Sequence, residues 1–102
     1  MNQEQEEIII RLIRNYLDQY DQMNHKATPG EIKSDVIHMG ANILVHKWEL
    51  VSYSPGSFVR AFINNDLERT FAHADTTNRK YIEFYLMLCA NLSTPEELQN
   101  ID

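Results

Sequence analysis

SPGSFVRAFINNDLERTFAHADTTNRKYI, residues 54–82, holds three helix-start signals in less than a third of the chain. Ser54 stands before Pro55, Asn65 stands three residues before Glu68, and Asp75 opens the run into Tyr81 and Ile82. Ser, Asn and Asp are favoured as N-caps because their side-chain oxygens accept from amides that the first helical turn leaves without partners. Proline suits the first helical position, where its missing N–H is not needed. The stretch therefore predicts short helices that fold the chain back on itself. One starts at Ser54 with Phe58, Ala61 and Phe62 inward; the next starts near Asp66 with Leu67 and Phe71 buried. A single kinked helix over 55–72 is the competing reading.

The rest of the chain reads the same way. Thr28-Pro29-Gly30-Glu31 and Thr94-Pro95-Glu96-Glu97 both fit the capping box, so Thr28, Ser54, Asn65, Asp75 and Thr94 form one set of predicted caps. A first helix over about 3–20 carries Ile9, Leu12 or Ile13, Tyr16 and Tyr20 at helical spacing. A second, over about 29–48, carries two apolar stripes: Ile32, Val36, Met39 and Ile43, and beside them Ile37, Ala41, Leu44 and Trp48. The run from Thr76 to Asn91 is apolar nearly all round, which predicts a helix at the centre of a bundle. A last turn over 95–99 closes the chain. Alternation of apolar and polar residues, the strand signal, is nearly absent. The fold class is all-α: a single domain over 1–102, built as a compact bundle of about five helices with a short C-terminal helical turn.

Composition narrows the function classes. The chain has 102 residues, 43% of them hydrophobic and 24% charged, with a net charge of -6. That charge disfavours nonspecific attraction to nucleic acid or an anionic membrane. No apolar run reaches the roughly 18–20 residues a membrane helix needs. The N-terminal MNQEQEE is acidic where a signal peptide is basic, which predicts a protein that stays in the compartment where it is made. The one cysteine, Cys89, has no internal disulfide partner and reads as a small apolar core residue.

No pattern specifies a catalytic, cofactor-binding or metal-binding set, and the expectation is a non-enzyme with no cofactor. His38 and His46 lie eight residues apart on one helix face, about 12 Å, too far to share a metal. His73 with Asp75 has the look of an oriented general base, but Asp75 is needed as a cap. The amides of 55–57 suit a phosphate in principle, yet there is no glycine-rich loop and no P-loop lysine. Asp66, Asp75, Asn78 and Arg79 are expected to form caps and interhelical hydrogen bonds rather than a site. What the turns leave exposed, namely Arg60, Arg69, His73 and Arg79, is the candidate interaction surface.

Pro55-Gly56-Ser57-Phe58, Asn65-Asp66-Leu67, and Ala74-Asp75 with Asn78 together resemble a pattern of small phage- and prophage-encoded helical proteins. That pattern reads P-G-[SG]-F, an apolar run, N-D-L, then A-D-x-x-N before a last helix. The match spans about thirty of the 102 residues within a family-like core over 54–92, with the first helix outside it. Members often carry Arg where this chain has His73. The family has no assigned activity and no known site residues, so the resemblance implies a mobile-element origin and a cytoplasmic setting and assigns no mechanism.

Size, acidity and the missing catalytic set point to a protein–protein interaction module, an accessory or a host-directed inhibitor of the anti-defence kind. The alternative is a nucleic-acid-associated regulator acting through Arg79 and Lys80, with Arg60 and Arg69 nearby. Trp48, Tyr53 and the other tyrosines exceed what five short helices must bury, which makes a homodimer a third expectation.

Overall fold

The computed structural model describes residues 1–99. Six helices follow in order: α1 (Gln3–Met23), α2 (Gly30–Lys47), α3 (Ser57–Ile63), α4 (Leu67–His73), α5 (Thr76–Lys80) and α6 (Ile82–Asn91). A single 3₁₀ turn, Glu96–Leu98, ends the described chain, and there is no strand among the described residues. The all-α expectation holds. The competing single helix over 55–72 does not, because α3 and α4 are separate.

α1 begins on a capping box that the sequence reading missed. Asn2 Oδ1 accepts from Gln5 N–H, and Gln5 Oε1 accepts from Asn2 N–H, both at 2.9 Å. The helix runs past Tyr20 to Met23 and buries Ile9, Ile13 and Leu17, three residues spaced by four. That stripe meets α2 and α6. α2 is the hub of the fold, packing on α1, α3, α5 and α6 and burying Val36, Ile37, Gly40, Ile43, Leu44 and Val45. The two apolar stripes of α2 imply contact with two neighbours, and α2 is indeed interior; α6, also expected at the centre because it is apolar nearly all round, leaves Leu86 exposed.

Gly40 is where the hub comes closest to its neighbours. A Cβ added there would stand 2.9 Å from Leu88 Cδ1 and 3.2 Å from Ile13 Cγ2. Both partners are fully buried. A glycine weakens a helix interior by about 1 kcal/mol, and here it lets α1 and α6 close onto α2.

Three helices end in the same way without glycine. His25, Glu49 and Asn65 hold left-handed φ values of 53°, 58° and 58°. After Glu49, the amide of Leu50 reaches the Val45 carbonyl at 2.9 Å while Glu49 N–H reaches His46 O at 3.2 Å. This paired arrangement satisfies carbonyls that the last turn leaves free. At Asn65 the equivalent bonds are Asp66 N to Ala61 O, 2.9 Å, and Asn65 N to Phe62 O, 3.2 Å.

Asn65 is therefore the exit of α3 rather than the cap of α4. The α4 cap is Asp66, whose Oδ1 accepts from Arg69 N–H at 3.1 Å. Three other predicted caps are also corrected. α2 starts from Pro29 and α3 from Gly56, while the 3₁₀ turn starts from Pro95, none with a side-chain cap bond. In each Ser/Thr-Pro pair the proline or a following glycine takes the boundary position, which leaves the Thr28, Ser54 and Thr94 side chains too early to reach the first-turn amides. Asp75 is a cap as expected, accepting from Asn78 N–H at 2.7 Å.

The predicted helix over 76–91 breaks into α5 and α6 at Tyr81, whose φ and ψ are -110° and 14°. Leu67 and Phe71, expected in the core, are exposed instead. α4 presents its small residue Thr70 inward, with Ala74 buried just beyond the helix. The aromatic core is one connected cluster, joined where the Phe84 and Tyr85 ring centroids stand 5.8 Å apart. Phe84 meets Tyr16, Tyr20 and Tyr81, while Tyr85 meets Phe58 and Phe62 with ring edges.

Candidate interaction surface

α4 sets the exposed face of the 54–82 stretch. It packs mainly on α3, and successive residues turn by about 100° around its axis. Thr70 fixes the inward direction. Leu67 and Phe71, one turn apart, lie along one margin of that buried stripe and stand 67% and 43% exposed. Arg69 and His73 sit at about 200° from them, on the other side of the helix. The apolar margin and the Arg69/His73 side are thus separate surfaces. The sequence signal for this was the choice between two i, i+4 pairs, Leu67/Phe71 and Thr70/Ala74. Hydrophobicity alone selects the wrong one.

All four predicted surface residues, Arg60, Arg69, His73 and Arg79, are exposed. They do not form one patch by contact. Arg60 donates to the Pro55 carbonyl at 3.3 Å, and Arg69 pairs with Asp66 at 3.5 Å. Arg79 belongs to α5, which packs on α2 and α6. Asp66, Asp75 and Asn78 likewise act as caps and an interhelical bond, the roles expected of them, rather than as one linked network. Asp66 serves α4, and Asp75 serves α5. Asn78 turns inward, where its Oδ1 accepts from the buried Tyr85 hydroxyl at 3.2 Å. Burial, then the Asp75 charge, pushes the Tyr85 hydroxyl well above its ordinary value.

Thr28 has a different task from capping. Its hydroxyl donates to Asp21 Oδ1 and its N–H to Asp21 Oδ2, both at 2.9 Å, and Oγ1 accepts from the Tyr81 hydroxyl at 3.0 Å. This relay ties the end of α1, the 24–29 connection and the α5–α6 junction together. His38 and His46 are occupied by backbone. His38 Nδ1 lies 2.8 Å from Ser34 O. His46 has Nδ1 3.0 Å from Asn42 O and Nε2 3.1 Å from Tyr53 O, with the Tyr53 ring edge-on at 5.0 Å. Among the described residues no three His, Cys, Asp or Glu side chains gather to hold a metal. Burial pushes the Cys89 thiol up, with the Lys47 charge pulling against it, so the group is a poor nucleophile at neutral pH.

No helix among the described residues is long and apolar enough to cross a membrane. Comparison with protein-family models, with curated proteins and with solved structures gave no match to this chain.

Proposed function

We propose that the chain is a non-enzymatic protein-binding module of mobile-element origin, working in the cytoplasm as an accessory or host-directed inhibitor. One observation carries the reading: Leu67 and Phe71 stand together in solvent on a helix that packs mainly on α3. An exposed i, i+4 apolar pair is the kind of anchor that partner surfaces cover. Asp66 and Glu68 lie in the same turn, and the whole chain carries -6. The partner surface that fits is apolar with basic residues at its edge, and the opposite charges would speed encounter. Self-association through the same margin, giving a homodimer, is the competing occupant.

A photo-crosslinking side chain at Phe71, with a control at the exposed Arg11, tests this in the producing cell. The reading expects one basic partner crosslinked at Phe71 only. Excess wild-type chain should compete it away, and a Leu67→Asp/Phe71→Asp variant should not. Equal crosslinking at both positions overturns the reading, and crosslinking to a second copy replaces the partner with a dimer.

Action on nucleic acid is the second reading, and Arg79 and Lys80 favour it: both are exposed and neither is in an ion pair among the described residues. It expects a mobility shift at low salt that weakens steeply as salt rises; no shift at low salt ends it.

A further inference from the structure

A cleft of about 570 Å³ opens where the end of α1, the 24–29 connection and the α5–α6 junction meet. This volume lies within the range of small-molecule sites. Its walls are fixed rather than loose. Tyr81, Thr28 and Asp21 are joined by the hydrogen-bond relay described above, and the Tyr20 and Tyr81 rings lie against Phe84 with centroids 5.2 and 6.3 Å away.

The junction itself lacks the usual cause of a helix break. Kinks fall at proline, at glycine or where a group inserts into the backbone ladder, and 76–91 contains neither proline nor glycine. What accompanies the break is the position of Tyr81, with its hydroxyl on Thr28 and its ring lining the cleft. A local departure from what the sequence favours is where function or strain is expected.

Two cations line the same cleft, Lys26 and Lys80, and neither is in an ion pair among the described residues. Of the two acids there, Asp21 already accepts two bonds from Thr28. Glu83 remains, lining the cleft together with Tyr20. Aromatic faces receive a planar ring by stacking, lysines receive phosphate as point charges, and a free carboxylate accepts from hydroxyls.

We propose that this cleft binds a small aromatic group bearing phosphate, and that a nucleoside monophosphate is the form that engages all of its walls. Lys26 and Lys80 hold the phosphate, Tyr20 and Tyr81 flank the base, and Glu83 accepts from the ribose hydroxyls. The site shares no residue with the α4 margin, so it stands or falls separately from the proposed partner surface.

Calorimetric and NMR titration of the full chain with AMP, adenosine, inorganic phosphate and phosphotyrosine amide tests the assignment. The proposal expects saturable AMP binding with adenosine and phosphate each at least about tenfold weaker. A Lys26→Ala/Lys80→Ala variant, altered only at exposed positions, should lose about tenfold in AMP affinity. Glu83→Gln should leave phosphotyrosine amide unchanged and weaken AMP. Phosphotyrosine amide binding as tightly as AMP overturns the nucleoside assignment and gives the site to a modified peptide. Undiminished AMP binding by the lysine variant, or no binding of either aryl phosphate, overturns the site.

Discussion

Asp75 and Ser54 carry the same kind of sequence signal, and only one of them closes a hydrogen bond at a helix start. The Asp75 carboxylate reaches Asn78 N–H at 2.7 Å, shorter than the cap bonds of Asn2 and Asp66. Asp75→Ala should cost about 1 kcal/mol in urea unfolding, while Ser54→Ala should change stability by less than about 0.5 kcal/mol. Equal effects would contradict the cap assignment. Glu49 offers the opposite sign. Its left-handed φ of 58° costs a side chain roughly 1–2 kcal/mol, and glycine returns about 0.4–1 kcal/mol of that through added freedom of the unfolded chain. Glu49→Gly should therefore stabilise by about 0.5 kcal/mol, read as a raised urea midpoint with an unchanged slope. At this scale the sequence was readable for Asp75 and misleading for Thr28, Ser54 and Thr94. Ser/Thr-Pro is consistent with several boundary registers, and only the path of the preceding loop decides among them.

At the level of elements, apolar periodicity made the helices over 3–20 and 29–48 legible, whereas the single helix expected over 76–91 is two, α5 and α6. The apolar stripe at Ile9, Ile13 and Leu17 needs no knowledge of its neighbours. The two stripes of α2 marked it as an interior helix, whereas the exposure of Leu86 on α6 depends on contacts between distant segments. The choice of Thr70 over Leu67 and Phe71 as the inward face of α4 was hidden for the same reason: it depends on how α4 meets α3. Gly40 did leave a trace, as a helix-weakening residue in the middle of α2. Gly40→Ala gains up to about 1 kcal/mol of helix propensity and meets two fully buried side chains, one of them the stiff Ile13. Overpacking of this kind costs about 1–3 kcal/mol, so the variant should be less stable by denaturant unfolding. A more stable variant would mean that α1 and α6 have room to move apart.

Across the whole molecule, Tyr85 joins the α3 aromatics to the buried Asn78 of α5 and so reports on the entire core. Its hydroxyl titrates above the ordinary 10.0 when folded. The proton is held more tightly in the folded chain, so the associated stability is complete below about pH 10 and is lost as pH rises from there towards the folded value. Chemical unfolding between pH 9 and 11 should show stability falling with pH, and Tyr85→Phe should flatten that fall while lowering stability at neutral pH by leaving Asn78 Oδ1 unpaired. The acidity of the chain and the apolar margin of α4 together define the account of function. Hydrogen exchange on the purified complex with the partner crosslinked at Phe71 tests that account most directly. The account predicts new amide protection over 64–74, with α1 unchanged. Protection over α1 and none across α4 would contradict it.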